Sequence, residues 1–367
     1  MKNIALIGSC GSIGRQVLKV VRNHPDKFRI VALVTGTPSS EFERQIEEFK
    51  PVLSACASTD KEAALAAAEL DCADVIFNAA GGFAGLGYSL RAASCGKVIA
   101  LANKETLVCG SDIILPVIAA RGGKIVPVDS EHSAIWQCLD FDCTRRIRRL
   151  IITASGGAFR GFTREQLQKV TPEQALNHPT WKMGKKITVD SATLVNKGYE
   201  VIEAHALYGT PYERIETVIQ PQSIVHSMVE FEDGAIIAQM NYPTMELPIQ
   251  LALTYPERLA CELPHMDFYK AFSLDFEPLE RGSYPLFDLT LKCGEAGGIL
   301  PCALNAADEV AVGAFLGNNL TYTGIYAVVD GVISATANEK VTSFEQLVGV
   351  DKRARELAQK IVDKLKR

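Results

Sequence analysis

The stretch Pro127-Val128-Asp129-Ser130-Glu131-His132 sets two carboxylates either side of a serine, just after an apolar run at 124–128. Along an extended backbone, alternate side chains let Asp129 and Glu131 face the same way. Two such acids repel, and one holds a proton unless a cation lies between them. The ordinary alternative is a helix start, with Asp129 or Ser130 as cap and Glu131 in the first turn. A second cluster, Asn196, Lys197 and Glu200, has i,i+4 and i,i+3 spacing and shares one helix face. Ser191 and Thr193 extend it into a strip of hydroxyl, amide and ammonium donors suited to a phosphate. The plain alternative is an exposed Lys/Glu pair. Glu200 beside a phosphate needs a compensating cation, and it offers a third carboxylate to Asp129 and Glu131. Three oxygen ligands with open positions describe a Mg2+ or Mn2+ site.

Two further segments point to a nucleotide. Gly8-Ser9-Cys10-Gly11-Ser12-Ile13-Gly14 joins the first strand to the first helix, where glycines let the backbone approach a pyrophosphate and the helix start supplies N–H groups. A ligand-free βα turn also uses glycine, but the place on the first strand of an alternating pattern favours a dinucleotide. After the second strand comes Val34-Thr35-Gly36-Thr37-Pro38-Ser39-Ser40, with no acid before Glu41. An acid there binds the ribose diol of NAD, so its absence favours NADP. Thr37, Ser39 and Ser40 could meet the 2′-phosphate or cap the next helix. Asn103-Lys104-Glu105 ends the fifth strand, on the edge where parallel sheets bind ligands. Lys104 there can reach a ligand or, on the plain alternative, start a helix in solvent.

The elements that must hold these residues alternate for the first 130 residues or so. Candidate strands lie at 3–7, 29–34, 52–55, 74–78, 98–102 and 124–128, with helices between them, such as 15–22, 63–70 and 113–120. That is the pattern of a parallel α/β sheet. A strand at 150–153 leads into Gly156-Gly157 and a polar stretch to about Lys185, long enough to be a lid. A helix is expected over 191–207, and 224–231 with 235–240 flank Asp233-Gly234 as a hairpin. A Pro-rich irregular section covers 255–285. Helices at 305–315, 325–335 and 343–365 close the chain. Net charge −5 argues against a nucleic-acid or anionic-membrane surface. The basic run Arg145-Arg146-Ile147-Arg148-Arg149 reads as a solvated strand entry. Ten scattered cysteines without a C-x-x-C pair point to a reducing compartment. With no leader or spanning segment evident, a cytoplasmic protein is expected.

In order, GSCGSIG, LANKETLV, PVDSEHSAIWQ, TASGGAF, LNHPTWKMGKKITVDSATLVNKGYEVIEA, VIQPQSIVHSMVEFEDGA and LNAADEVAV resemble the 1-deoxy-D-xylulose 5-phosphate reductoisomerases. The resemblance implies an α/β enzyme with four segments. These are a Rossmann-like NADPH domain (1–128), an α+β catalytic domain with metal site and lid (129–254), a linker (255–281) and a C-terminal helical domain (282–367). It implies a homodimer that rearranges its phosphorylated sugar to a branched aldehyde and reduces this with NADPH, using Mn2+, Mg2+ or Co2+. It makes Asp129, Glu131 and Glu200 the metal ligands and puts Lys104 and Ser130 on the substrate's oxygens. Ser155, Ser191, Asn196 and Lys197 take its phosphate, His178, Trp181, Met183 and Gly184 belong to the lid, and His226 to the wall. NADPH contacts fall on Gly8, Ser9, Cys10, Gly11, Ser12, Ile13, Gly36, Thr37, Pro38, Asn103, Lys104, Glu105 and Gly184. Cys10 replaces an expected Thr. Thr37-Pro38 replaces the Lys-Asn of many members, removing a lysine contact to the 2′-phosphate. The alternatives are an NADP-dependent sugar-phosphate dehydrogenase without rearrangement, which needs no metal, and a non-enzymatic NADP-binding regulator.

Overall fold

The computed structural model describes residues 1–142, 146–280 and 282–366. Cys143 and Arg145, counted above among the thiols and the basic run, lie outside the described residues. The chain forms two compact units, Met1–Ser133 with Thr244–Leu263, and Ala134–Pro243 with Pro264–Arg367. No described helix is long and apolar enough to cross a membrane, and the nine described cysteines are free thiols.

In the first unit six strands, β1 (Lys2–Ile7), β2 (Phe28–Thr35), β3 (Leu53–Cys56), β4 (Val75–Asn78), β5 (Val98–Leu101) and β6 (Lys124–Pro127), lie in the order β3-β2-β1-β4-β5-β6. All pairings are parallel. This is the doubly wound order, whose switch point lies between β1 and β4. Ile4, Leu6, Ile30, Leu33, Ile76, Phe77 and Ile99 are buried, because helices cover both faces of a parallel sheet. The expected helix at 113–120 is the second half of a longer one, Glu105–Arg121, bent at Gly110 with Pro116 inside. Helix Ala84–Ser94 fills the connection between β4 and β5, where the alternating pattern expects a helix. Thr244–Leu263, which the resemblance divides between catalytic domain and linker, packs into this unit. Its helix Glu246–Thr254 meets the first helix through Lys19–Glu246 (2.7 Å) and His24–Gln250 (3.1 Å).

The second unit has a mixed sheet of β7 (Ile147–Ala154), β8 (Ile215–Ile219), β9 (Val225–Phe231), β10 (Ile236–Met240) and β11 (Glu277–Pro278), ordered β10-β9-β7-β8-β11. β9 and β10 form the expected antiparallel hairpin, whereas β7 and β8 are parallel. Arg148 and Arg149 pair with Glu230 across strands, and Arg149 also with Glu216, as a solvated strand entry should. Leu150, Ile152, Val201, Ala204, Val229, Phe287 and Leu291 share one buried cluster. The single helix expected over 191–207 is two, Lys185–Thr193 and Val195–Tyr208. They break at Leu194, whose left-handed φ of 58° no α-helix accommodates. Helices Pro285–Ala296, Leu300–Leu316, Tyr322–Ser334 and Phe344–Leu365 complete the unit.

Candidate active site

In the first unit the functional residues gather at the carboxyl ends of β1, β2, β5 and β6. The glycine loop turns sharply after β1. Gly8 has φ +85°, and a Cβ there would come within 2.4 Å of the Ala79 carbonyl oxygen. A Cβ on Gly14 would come within 2.2 Å of the Gly8 carbonyl, so both glycines are required for the first helix, Ser12–Asn23, to approach β1. Ser9 is buried, Gly11 and Ser12 are exposed, and Ile13 is half-buried at the helix start. Cys10 Sγ lies 3.8 Å from Ser39 Oγ and 3.6 Å from Gln45 Oε1, so it joins the glycine loop to the segment after β2. Gly36, Thr37 and Pro38 are exposed there. Ser39 caps the next helix, accepting from the Phe42 amide at 3.2 Å, so the capping role is realised.

After β5, the Asn103 side-chain amide is engaged within the protein. It donates to the Gly82 carbonyl and to Glu105, and its oxygen accepts from Thr106. Lys104 is not solvated: it is 6% exposed, and its ammonium stands 2.6 Å from Asp129 Oδ2. Asp129 does not continue a strand. It stands at the N-cap position of helix Ser130–Cys138, its carbonyl accepting from the Ser133 amide at 2.8 Å and its Oδ1 from the Ser130 amide at 3.1 Å, and Glu131 sits in the first turn. The extended-backbone picture is therefore replaced by the cap, yet the acids still converge, with ligand oxygens within 4.8 Å of each other. Ser130 Oγ donates to Glu131 Oε2 at 2.6 Å. Burial alone would raise the Asp129 carboxyl, but the Lys104 ammonium and the His132 ring more than offset it and hold it well below the usual range. An ionised carboxylate beside a second one is the hard-oxygen donor set that a Mg2+ or Mn2+ ion requires.

In the second unit a hydroxyl–imidazole group assembles around His178. Its Nε2 lies 3.0 Å from Ser155 Oγ and 3.1 Å from Ser191 Oγ. Its Nδ1 accepts from the amides of Thr180 (3.2 Å) and Trp181 (3.0 Å). A nitrogen that accepts twice carries no proton, so Nε2 is the N–H that faces the two serines. Burial lowers the His178 pKa, in keeping with a neutral ring. Asn196 and Lys197 open helix Val195–Tyr208, and both donate to Glu200, Asn196 at 2.5 Å. Lys197 and Glu200 are 4% and 1% exposed, which excludes an ordinary surface pair. Gly184 caps helix Lys185–Thr193. Between Gly156 and Gly184 only short helices form, Arg164–Leu167 and Pro172–Ala175, each with a capping box. Trp181 is half-buried and stands edge-on to His226, ring centres 5.8 Å apart. Ser223, which the sequence reading did not single out, meets Thr180 at 3.0 Å. Its φ of 53° marks the turn that presents it, a conformation no spacing rule reveals for serine.

Comparison with known proteins shows the family. Models of the 1-deoxy-D-xylulose 5-phosphate reductoisomerase match residues 4–68 and 54–111, and models of its C-terminal domains match 125–208 and 240–357. The reductoisomerase of Pelotomaculum thermopropionicum is 44% identical over 99% of both chains. The chain belongs to the 1-deoxy-D-xylulose 5-phosphate reductoisomerase family. Another reductoisomerase, from Crocosphaera subtropica, is 43% identical over 97% of this chain and 95% of its own. Among solved structures, a reductoisomerase in complex with NADPH, fosmidomycin and magnesium superimposes with TM-score 0.92 at 33% identity, over 99% of this chain and 98% of its own. The Zymomonas mobilis reductoisomerase in complex with NADPH gives 0.89 at 33%, over 99% and 100%.

Proposed function

We propose that this chain's side chains carry out the family reaction. The reaction converts 1-deoxy-D-xylulose 5-phosphate and NADPH to 2-C-methyl-D-erythritol 4-phosphate and NADP+, on the non-mevalonate route to isoprenoid precursors. When bound, a divalent Mg2+ or Mn2+ ion supplies a Lewis acid for the substrate's ketone and adjacent hydroxyl, and NADPH supplies the hydride. Asp129, Glu131 and Glu200 are the residues that would hold the ion. The glycine loop from Gly8 to Ile13, Gly36–Pro38, the Asn103–Glu105 turn and Gly184 hold the dinucleotide. Lys104 and Ser130 orient the substrate oxygens. Ser155, His178, Ser191, Asn196 and Lys197 bind the phosphate, and the neutral His178 does so as a donor through Nε2. The segment from Gly156 to about Lys185, with Trp181 against His226, acts as a lid that excludes water from the aldehyde stage. A homodimer, a cytoplasmic location and the four-segment division complete the reading.

The observation that carries it is the convergence of Ser155, His178 and Ser191 within 3.1 Å in a chain of this family. The test is NADPH oxidation with 1-deoxy-D-xylulose 5-phosphate, with and without chelator. Metal-dependent oxidation yielding the branched product is expected. Oxidation indifferent to chelator, with an unbranched product, would leave the simple sugar-phosphate dehydrogenase instead.

A further inference from the structure

The last turn of helix Lys185–Thr193 carries Ser191, and it is gripped from three sides within the second unit. From the C-terminal helices, Tyr322 donates its buried hydroxyl to the Ala192 carbonyl at 2.8 Å. Its ring is seated edge-on against Phe159 and near Phe315, ring centres 5.0 and 5.9 Å away. At the start of the same helix, the Lys186 ammonium bridges Asp190 Oδ2 (2.6 Å) and Asp308 Oδ2 (2.7 Å), and Asp308 on helix Leu300–Leu316 is fully buried. From the turn after β7, Gly157 lies so close that a Cβ would come within 2.5 Å of the Ser191 carbonyl and 2.7 Å of Ala192 Cα. None of Tyr322, Lys186 or Asp308 belongs to the donor set for the phosphate. A buried hydroxyl aimed at a helix-end carbonyl and a buried ion bridge at the other end leave the helix little freedom to turn or slide.

We infer that Tyr322 and the Lys186–Asp308 bridge are positioning residues for the phosphate anchor. Through them the C-terminal helices set where Ser191 Oγ stands relative to Ser155 and His178. The inference rests on the proposed phosphate role of Ser191. A hydroxyl displaced by a fraction of an ångström loses most of a charge-assisted hydrogen bond, so the effect belongs to phosphate affinity and not to hydride transfer.

The test uses the full-length enzyme and inorganic phosphate as a competitive inhibitor. Tyr322→Phe keeps the ring and removes the hydroxyl. Asp308→Leu keeps the bulk and removes the acceptor, whereas Asp308→Asn keeps an acceptor and should rescue. Ser191→Ala reports on the phosphate site itself. Expected for Tyr322→Phe and Asp308→Leu is a rise of about three- to tenfold in both the substrate KM and the inhibition constant of phosphate, the worth of one hydrogen bond. The NADPH KM should stay unchanged, and Asp308→Asn should fall near wild type. If Ser191→Ala weakens phosphate while Tyr322→Phe and Asp308→Leu do not, the positioning inference fails alone. If Ser191→Ala leaves phosphate inhibition intact, the anchor reading fails and takes this one with it. Equal losses for phosphate and NADPH would show general loosening and overturn the inference too.

Discussion

Asp129 in the first unit and Asp308 in the second are both buried beside a lysine, yet their charge is pushed in opposite directions. Burial raises a carboxyl in either place. Asp129 is flanked by the Lys104 ammonium and the His132 ring and ends well below the ordinary range. Asp308 shares the single Lys186 ammonium with Asp190 and lies near Glu309; burial wins, and its pKa is raised. The cations beside each carboxyl, and not depth alone, set the direction of its shift. An ionised acid can ligate a metal; Asp308 instead ties two helices through Lys186.

The largest effect should come from removing the ionised acid. Asp129→Asn should lower kcat at ordinary Mn2+ by more than about a hundredfold, since even outer partners of metal ligands are worth tenfold to a hundredfold. NADPH binding, followed by fluorescence, should survive; full activity in the variant would break the contrast between the two aspartates. Next comes the cation. Lys104→Met strands a buried carboxylate, and the metal-free enzyme should lose about 3–5 kcal/mol of stability in urea melts. Added Mn2+ should return part of that loss, and a midpoint indifferent to the ion would count against metal binding at Asp129.

The smallest effect is a slope. Asp308 has a raised pKa in the folded protein, so its contribution to stability is complete below the ordinary carboxylate range and is lost as pH rises through the raised value. Asp129, with its pKa depressed, contributes above the ordinary range and loses that contribution as pH falls. Asp308→Asn should therefore remove the fall in stability that sets in as pH rises above the ordinary carboxylate range. Its stability at neutral pH should stay within about 1 kcal/mol of wild type. Denaturant midpoints across a pH series would show it; a fall with rising pH unchanged from wild type would overturn the assignment.

The parallel sheet was legible because its strands are apolar runs punctuated by turns, and the observed bounds of β1 to β6 differ from the expected ones by a residue or so. Helix Ala84–Ser94 follows from the alternation, but its bounds do not, because Ala-Gly-Leu-Gly-Tyr-Ser gives no amphipathic stripe. Helix Pro285–Ala296 begins where the irregular section ends, in a stretch the sequence pattern assigns to no element. The site residues Asp129, Glu131, Lys197 and Glu200 stood out as acids and bases in otherwise apolar surroundings. Their local geometry did not, since Asp129 caps a helix where an extended backbone was also open. Lys104 meeting Asp129, or Tyr322 meeting Ala192, joins positions far apart in the chain, and no periodicity encodes such pairs.

The break at Leu194 also bears on how much this chain can drift. A left-handed leucine costs about 1–2 kcal/mol that glycine or asparagine would mostly recover. Yet the side chain is 2% exposed and belongs to the buried cluster of the second unit, where losing a leucine's bulk costs about 2–5 kcal/mol. The residue that relaxes the backbone empties the core, and β-branched residues that fill the core resist the backbone. Position 194 is thus a local optimum with poor neighbours on every side. In a random variant library it should tolerate fewer substitutions than its burial alone suggests, although it touches no ligand in the proposed site.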